Sequence, residues 1–163
     1  MDFIIKRFDS MSEMISAYSD KKDSEYIDIE TQSSNTFYGV EFMKNNYNFY
    51  LSSDGLCNLQ VISIDGIAGV LVDNYFICID LLKHTKKKFK LNSPVDTLLY
   101  NKENMSFFII YETGFFSFNI KTETYKVKEV EDLISDWKIV TDTKILYSYE
   151  GSKFYEFDFR SFN

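Results

Sequence analysis

The sequence is poor in the residues on which several common classes of protein depend. Proline occurs once in 163 residues, glycine six times, and alanine only as Ala17 and Ala68. No apolar run approaches the roughly 18 residues that span a bilayer, which argues against a membrane protein. One histidine and two cysteines are too few to complete a structural zinc site.

An export signal is also missing from the sequence. The apolar patch after Met1 is interrupted by Lys6 and Arg7, which leaves it too short for the core of a signal peptide. Cys57 and Cys78 are then expected to be reduced thiols, and Cys78 to be a small buried hydrophobe within an apolar run. The sequence therefore predicts a cytoplasmic protein.

Catalytic groups are scarce as well. The common phosphate-binding, dinucleotide-binding and zinc-protease motifs do not occur. His84 is the only histidine, and neither cysteine has a histidine nearby in sequence that would activate it. Five carboxylates between residues 20 and 30 lack the glycine and the spacing of a calcium loop. We expect a binding protein without cofactor or metal, and not an enzyme.

One predicted turn combines His84 with Lys86, Lys87 and Lys88. Lysines in such a turn could stabilise negative charge, as in a phosphate-binding or nuclease-like patch. They equally fit a solvated turn whose lysines protect a sheet edge from pairing with other chains. The second interpretation is favoured.

The chain has fewer basic than acidic residues, with 18 Lys and Arg and 25 Asp and Glu, for a formal net charge of −7. Such a field repels nucleic-acid phosphates and anionic membranes, so we expect the protein to bind neither directly. The same field would speed the encounter with a basic partner. It would also keep a small domain soluble, which is the simpler interpretation.

Aromatic residues are abundant, with 16 Phe, 12 Tyr and one Trp making 18% of the chain. This composition favours strands over helices. One short helix is predicted after Ser10, because Ser10 and Glu13 match a capping box. An apolar stripe at helical spacing follows, formed by Met11, Met14, Ile15 and Tyr18.

Strand patterns follow the predicted helix. Residues 25–30 alternate, with Ile27 and Ile29 on one face. Residues 37–43 and 47–51 flank Asn45-Asn46 and predict a hairpin. Asp54-Gly55 and Asp65-Gly66 are further turn signals between apolar runs.

Residues 60–163 repeat themselves. Segments 77–81, 116–120 and 155–159 each read apolar, any residue, apolar, Asp or Asn, apolar, and their starts lie 39 residues apart both times. Another apolar strand with a polar end precedes each segment, at 70–74, 109–114 and 146–151. A third strand opens each unit, at 61–64, 98–100 and 138–140, and a fourth closes the first two units, at 88–91 and 125–130.

A period near 40 with three or four antiparallel strands resembles the blades of a β-propeller, although the Gly-His and Trp-Asp signatures of WD repeats are absent. The resemblance implies a mainly β fold of antiparallel meander repeats, blade-like and open, with one short N-terminal helix. Three units are too few to close a ring. The units therefore stack as an open array, residues 1–59 supply a further blade, or several subunits close the ring.

We favour the open stack, as a single domain over residues 1–163 in which the helix and hairpin of residues 1–59 cap the repeats of residues 60–163. Residues 129–137 allow two interpretations. The repeat register predicts a bend and a strand there. A short helix is the alternative, because helical spacing is matched by Val130, Leu133, Ile134 and Trp137.

Two acidic segments are candidate partner-binding surfaces. Tyr26, Asp28 and Glu30 share the exposed face of one predicted strand, and exposed tyrosine adds interface area at low entropic cost. A connection between two repeat units, where loops commonly carry function, contains the second group, which is Glu129, Glu131, Asp132 and Asp136. A solvated acidic surface is the alternative interpretation of both segments.

The chain is rich in Lys, Asn, Ile, Phe and Tyr and poor in Ala, Pro, Gly and Arg, a usage that predicts an AT-rich gene. Together with small size, acidic charge and the absence of catalytic motifs, it resembles the immunity proteins of contact-dependent inhibition and other polymorphic toxin systems. The resemblance implies an antitoxin that binds one cognate toxin domain, often a basic nuclease, and neutralises it by direct contact. These proteins share a role and not a motif, so no residue role is carried over. The alternative function is carbohydrate or small-ligand binding by a propeller-like module closed by oligomerisation.

Overall fold

The computed structural model describes residues 3–141 and 143–162. Within these ranges the chain forms fifteen β-strands, one α-helix and a C-terminal 3-10 helix, and the strands make four sheets. The predicted fold class is confirmed. The chain divides into two compact units, unit 1 (Met1–Phe89) and unit 2 (Lys90–Asn163). The single domain over residues 1–163 stays a prediction.

Unit 1 begins with sheet 1, in which β1 (Phe3–Phe8), β3 (Thr36–Phe42), β4 (Tyr47–Ser53) and β2 (Ser24–Tyr26) lie side by side in that order. The predicted hairpin is confirmed as β3 and β4, joined by a turn in which Asn46 has a φ of 48°. β2 runs parallel to β4. β1 is not predicted from the sequence, because its central residues are all exposed and show no two-residue alternation.

The helix α1 (Met11–Tyr18) confirms the N-terminal helix prediction. The Ser10 hydroxyl accepts a hydrogen bond from the Glu13 backbone N–H at 3.2 Å, as a helix cap should. The predicted stripe is half correct, since Met14 and Tyr18 are buried and the other two members are exposed. Tyr18 packs directly over Gly39 of β3 and leaves no room for a Cβ atom there.

The strand predicted over residues 25–30 is shorter in the structure, because β2 ends at Tyr26. The predicted alternation nevertheless holds in the burial of the side chains. Ile27 and Ile29 are buried, whereas Asp28 and Glu30 are exposed. Alternation therefore reports which side of the backbone is covered, even where the ladder of hydrogen bonds has ended.

Sheet 2 is a meander of β5 (Gln60–Ile64), β6 (Ile67–Val72), β7 (Tyr75–Asp80) and β8 (Thr85–Lys90). The predicted Asp65-Gly66 turn joins β5 to β6, and both residues have positive φ, at 49° and 83°. Sheets 1 and 2 share one hydrophobic core, in which Phe49 and Leu51 of sheet 1 and Val70 and Ile77 of sheet 2 are fully buried.

Unit 2 contains two further sheets. Sheet 3 is a meander of β9 (Val95–Asn101), β10 (Ser106–Tyr111), β11 (Gly114–Asn119) and β12 (Thr124–Glu129). Sheet 4 contains β13 (Ile134–Thr141), β14 (Lys144–Tyr149) and β15 (Tyr155–Asp158), and the 3-10 helix Phe159–Phe162 follows. The helix considered for residues 129–137 is wrong, because the hydrogen-bonding groups of β13 pair with β14.

Phenylalanine rings dominate the core of unit 2. Phe115 stacks on Phe157 and Phe108 on Phe159, each with ring centroids 4.2 Å apart. Stacked and edge-to-face ring pairs add to the free energy of burial, so they help a short chain build a stable core.

The repeated motif of residues 77–81, 116–120 and 155–159 lies on β7, β11 and β15. Its polar fourth member has the same role each time. Asp80, Asn119 and Asp158 accept backbone N–H groups of the following turn, from Leu82 at 3.0 Å, Thr122 at 2.9 Å and Arg160 at 2.9 Å. A short side chain with an acceptor oxygen at this position ends the strand and begins the turn.

Candidate functional site

The seven residues predicted to bind a partner lie in both compact units. Tyr26, Asp28 and Glu30 belong to unit 1. The remaining four belong to unit 2, and they are Glu129, Glu131, Asp132 and Asp136. All seven are exposed, as predicted. The side chains of Tyr26, Glu30 and Glu129 form hydrogen bonds to other elements of the fold. Within the described residues, Asp132 and Asp136 each accept only the backbone N–H of the next residue, at 2.8 Å.

The side chains of the unit 1 group form hydrogen bonds within unit 1. The Tyr26 hydroxyl is 2.8 Å from the Ser52 hydroxyl, and Glu30 accepts a hydrogen bond from the Tyr75 hydroxyl at 3.0 Å. Asp28 accepts from the backbone N–H of Glu30 at 2.9 Å. A partner would have to compete with these bonds, so the group makes a poor centre for an interface.

The Glu129 carboxylate also forms hydrogen bonds within its own unit. It accepts hydrogen bonds from the Tyr111 hydroxyl at 2.9 Å and from the Asn92 side chain at 2.8 Å. Burial, together with the hydrogen bond to Glu129, raises the pKa of Tyr111 well above its usual value. Glu129 therefore stabilises the edge of sheet 3.

Asp132 is the one predicted partner-binding residue that lines a cleft of unit 2. The cleft has a volume of about 460 Å³ and lies where the connection between sheets 3 and 4 passes two hairpin turns. We call it the acidic cleft, and its lining residues are Glu112, Asp132, Leu133, Ile134, Ser135 and Glu150. Three of the six carry carboxylates, and none carries a positive charge.

Glu112 and Glu150 enter the cleft from equivalent places in the repeat. Glu112 follows β10 and Glu150 follows β14, so each begins the turn between the second and third strands of its sheet. They lie 38 residues apart in sequence, close to the repeat period. Overlaying the repeats shows that the two residues are equivalent, but only the structure places both in one cleft.

Backbone hydrogen bonds fix the cleft walls. The Ile134 N–H donates to the Glu112 carbonyl oxygen at 2.7 Å, and the Val130 N–H donates to the Thr113 carbonyl oxygen at 2.9 Å. The Ser135 hydroxyl donates to the Ser148 carbonyl oxygen at 3.1 Å. The connection is therefore held across the ends of sheets 3 and 4.

The electrostatics and the apolar exposure of the acidic cleft complement each other. Leu133 is 56% exposed at the same place as the three carboxylates. A cationic partner surface gains long-range attraction from the carboxylates, and an exposed leucine offers apolar area for close packing. Among the described residues no group of His, Cys, Asp or Glu side chains has the geometry of a metal site. The arrangement suits protein recognition.

The lysine-rich turn leads into β8, an edge strand of sheet 2. His84 has a φ of 55° in the turn before β8, and its ring packs 5.1 Å from the ring of Tyr47. Lys86 forms an ion pair with Glu25, and Lys88 donates to the Asp28 carbonyl oxygen at 2.8 Å. Because β8 is an edge strand of sheet 2, these contacts favour the protective interpretation over a phosphate-binding patch.

Comparison with known proteins gives a fold and no family. No protein-family model matches the sequence, and no curated protein matches it. The extracellular domain of a proposed one component system from B. thetaiotaomicron matches with a TM-score of 0.51 and 15% identity, over 85% of this chain and 22% of that chain. The tricorn protease matches with a TM-score of 0.46 and 13% identity, over 100% of this chain and 17% of that chain.

The chain thus spans about a fifth of the length of each of these two structures. The first likeness shows a propeller-like fold of several sheets, and at this identity it shows the fold alone. In the part of the chain that the structure describes, no helix is long and apolar enough to cross a membrane.

Proposed function

We propose that this protein is a cytoplasmic, non-catalytic antitoxin that neutralises a cognate basic toxin domain by direct contact. The observation that supports the proposal is the acidic cleft, where three carboxylates and an exposed leucine lie together and none of the six lining residues is cationic. A toxin that acts on RNA or DNA presents cationic groups for phosphate, and carboxylates can compete for them. Of the residues predicted from sequence, Asp132 lines this cleft, and Glu131 and Asp136 are exposed nearby in sequence.

Growth rescue tests the proposal. The toxic carboxy-terminal domain encoded immediately upstream of the gene is expressed with and without this protein, and the two are then co-purified. We expect growth to be restored and a stable complex to form. An upstream product that is not toxic, or cells that die in spite of the protein, would overturn the antitoxin function.

A charge-matched pair of variants tests the surface. The triple variant Glu112→Gln, Asp132→Asn, Glu150→Gln removes the charge of the acidic cleft. The control variant Asp20→Asn, Asp65→Asn, Glu103→Gln removes the same charge from exposed residues elsewhere. We expect the cleft variant to weaken binding by at least about a hundredfold, through losses on the order of 1 kcal/mol per carboxylate, and the control to change it much less.

Salt dependence separates the two effects of charge. If the cleft carboxylates contact cations of the partner, association with the wild-type protein should slow as ionic strength rises, and the cleft variant should show a shallower dependence. Equal affinity of the cleft variant and the wild type would place the interface on another surface.

A further inference from the structure

Unit 2 holds a second cavity whose chemistry is opposite to that of the acidic cleft. Its volume is about 300 Å³, at the small end for ligand pockets. Its ten lining residues include three phenylalanines, six neutral side chains able to form hydrogen bonds, and Lys126. None is a carboxylate, although the chain has 25 of them. We call it the polar pocket.

Strand register builds the floor of the polar pocket. On sheet 3, Asn119 pairs with Ser106 on one side and with Thr124 on the other. Two residues earlier in β11, Ser117 pairs with Phe108 and Lys126. Because side chains two apart on a strand share a face, these two rows of three line the same face of the sheet.

The 3-10 helix Phe159–Phe162 supplies an aromatic wall. Phe159 is buried and stacks on Phe108, and its ring centroid lies 6.3 Å from that of Phe162. Phe162 also packs edge-to-face against Phe157. The wall is therefore anchored in the core of unit 2 and is preorganised.

Some polar groups of the pocket are used by the fold. The Asn119 side-chain amide donates to the Asn104 carbonyl oxygen at 2.7 Å and to the Ser106 hydroxyl at 3.1 Å, and its oxygen accepts from Thr122. The Thr122 and Thr124 hydroxyls are 2.8 Å apart. These bonds fix the rim in one geometry.

Other polar groups of the pocket remain available. Ser117 is 7% exposed, and its hydroxyl has no hydrogen-bond partner among residues 3–141 and 143–162. Within the same ranges the Asn104 side-chain amide has no hydrogen bond, and Lys126 has no acidic partner. A hydroxyl and an amide that line a cavity without an intramolecular partner can form hydrogen bonds to a ligand in place of water.

We propose that the polar pocket binds a sugar acid of monosaccharide size, with the carboxylate at Lys126 and the ring against Phe162, the partly exposed member of the phenylalanine wall. Hydroxyl and amide groups can donate to and accept from sugar hydroxyls, and an aromatic wall suits the C–H face of a sugar ring. An unpaired ammonium in a pocket without carboxylates selects an anion over a neutral or cationic analogue. This inference does not depend on the antitoxin function, and it needs no ring closed by several subunits.

Saturation-transfer NMR on the full chain tests the proposal. The probes are glucuronate, galacturonate and N-acetylneuraminate, with glucose and galactose as the neutral matches of the first two. We expect at least one acid to bind with about tenfold or greater preference over the neutral sugars, which corresponds to one favourable charge contact. No binding by any acid, or equal binding of an acid and its neutral match, would overturn it.

Three variants assign the contacts. Lys126→Gln should weaken binding of the acid about tenfold and abolish the preference over its neutral match, whereas Lys22→Gln in unit 1 makes the same charge change and should have no effect. Phe162→Ala should weaken binding by about tenfold and Ser117→Ala by about fivefold. Lys126 is exposed, so its variant tests the pocket even if the other two disturb the fold. Acid binding that survives Lys126→Gln unchanged would contradict the assignment.

Discussion

The turn between the second and third strands of a sheet begins with an acidic residue in both units, yet its role differs. In unit 1, Asp73 is 3% exposed and accepts hydrogen bonds from the Ser53 hydroxyl at 2.9 Å, the Asp54 N–H at 2.8 Å and the Leu56 N–H at 3.1 Å. In unit 2, Glu112 and Glu150 at the corresponding positions are exposed in the acidic cleft.

The difference shows how one position of a repeat can serve the fold or the surface. In sheet 3 the neighbouring loop is held by other groups, since the Thr113 N–H donates to the Ser93 hydroxyl at 3.2 Å and the Glu112 N–H to the Pro94 carbonyl oxygen at 3.1 Å. The carboxylate is then not needed for the loop. A side chain one methylene longer than aspartate carries it outward to solvent.

Removal of the two kinds of carboxylate should therefore have unequal effects on stability. Asp73→Ala leaves three donors unsatisfied in a buried place, and we expect it to lower the free energy of unfolding by about 3 kcal/mol. Glu112→Ala should change it by less than about 0.5 kcal/mol, because exposed positions tolerate substitution. Urea denaturation of each variant measures both effects. Equal losses would mean that exposure does not separate the two roles.

Glycines at the same turns sharpen the comparison within unit 2. An added Cβ at Gly114 would collide with the Lys128 backbone carbonyl oxygen, whereas at Gly151, with φ of 69°, it would meet no atom within 4 Å. We expect Gly114→Ala to cost about 2 kcal/mol through overpacking and Gly151→Ala about 1 kcal/mol through backbone strain alone. Thermal unfolding would rank the variants, and the reverse order would contradict the packing of β11 against β12.

The ion pairs of Glu41 in unit 1 should make a smaller contribution to the free energy of unfolding, and this contribution should be lost in acid. Burial alone would raise the pKa of Glu41, but hydrogen bonds and charge from Lys21 and Lys6 outweigh it and hold the pKa at about 2, below the ordinary value of 4.5. Because the folded-state pKa is lowered, this stabilisation is present above about pH 5 and is lost as the pH falls towards 2. It is on the order of 1 kcal/mol, since both lysines are partly exposed.

The measurement is the free energy of unfolding of the wild type and of Glu41→Gln between pH 7 and pH 2. The difference between them should be largest near neutrality and should shrink as the pH falls through the window of Glu41 titration. The Asp158 carboxyl of unit 2 provides the control, because its Arg160 partner also holds its pKa at about 2 but is more exposed than either lysine beside Glu41. Asp158→Asn should have a smaller effect, and a difference at Glu41 that is independent of pH would contradict the ion-pair network.

Much of the fold can be predicted from local patterns. The 39-residue period places nearly every strand of sheets 2, 3 and 4, because alternation and turn residues act over a few neighbouring positions. The order β1-β3-β4-β2 of sheet 1 could not be predicted in the same way. β1 shows no alternation, and the parallel pairing of β2 with β4 joins segments that are far apart in sequence.

The candidate site also contains residues that the sequence predicts and residues that only the tertiary structure identifies. Asp132 stands out in sequence because acidic residues crowd its connection, whereas Glu112 and Glu150 are brought to it only by the two hairpin turns. Glu129 looks identical to its neighbours in sequence, and only the Tyr111 hydroxyl shows that it belongs to the sheet edge. The polar pocket needs strand register and the C-terminal turn, which no local pattern predicts.

The amino-acid sequence by itself determined the strands of sheets 2, 3 and 4, their turns, the N-terminal helix cap and the acidic balance of the chain. These features depend on backbone preferences, alternation and composition, which are properties of short segments. Tertiary structure alone decided which acidic residues are buried and which are exposed, because burial depends on what packs against a residue from elsewhere in the chain. Asp73 and Glu112 occupy the same place in the repeat, and their different neighbours give them different roles.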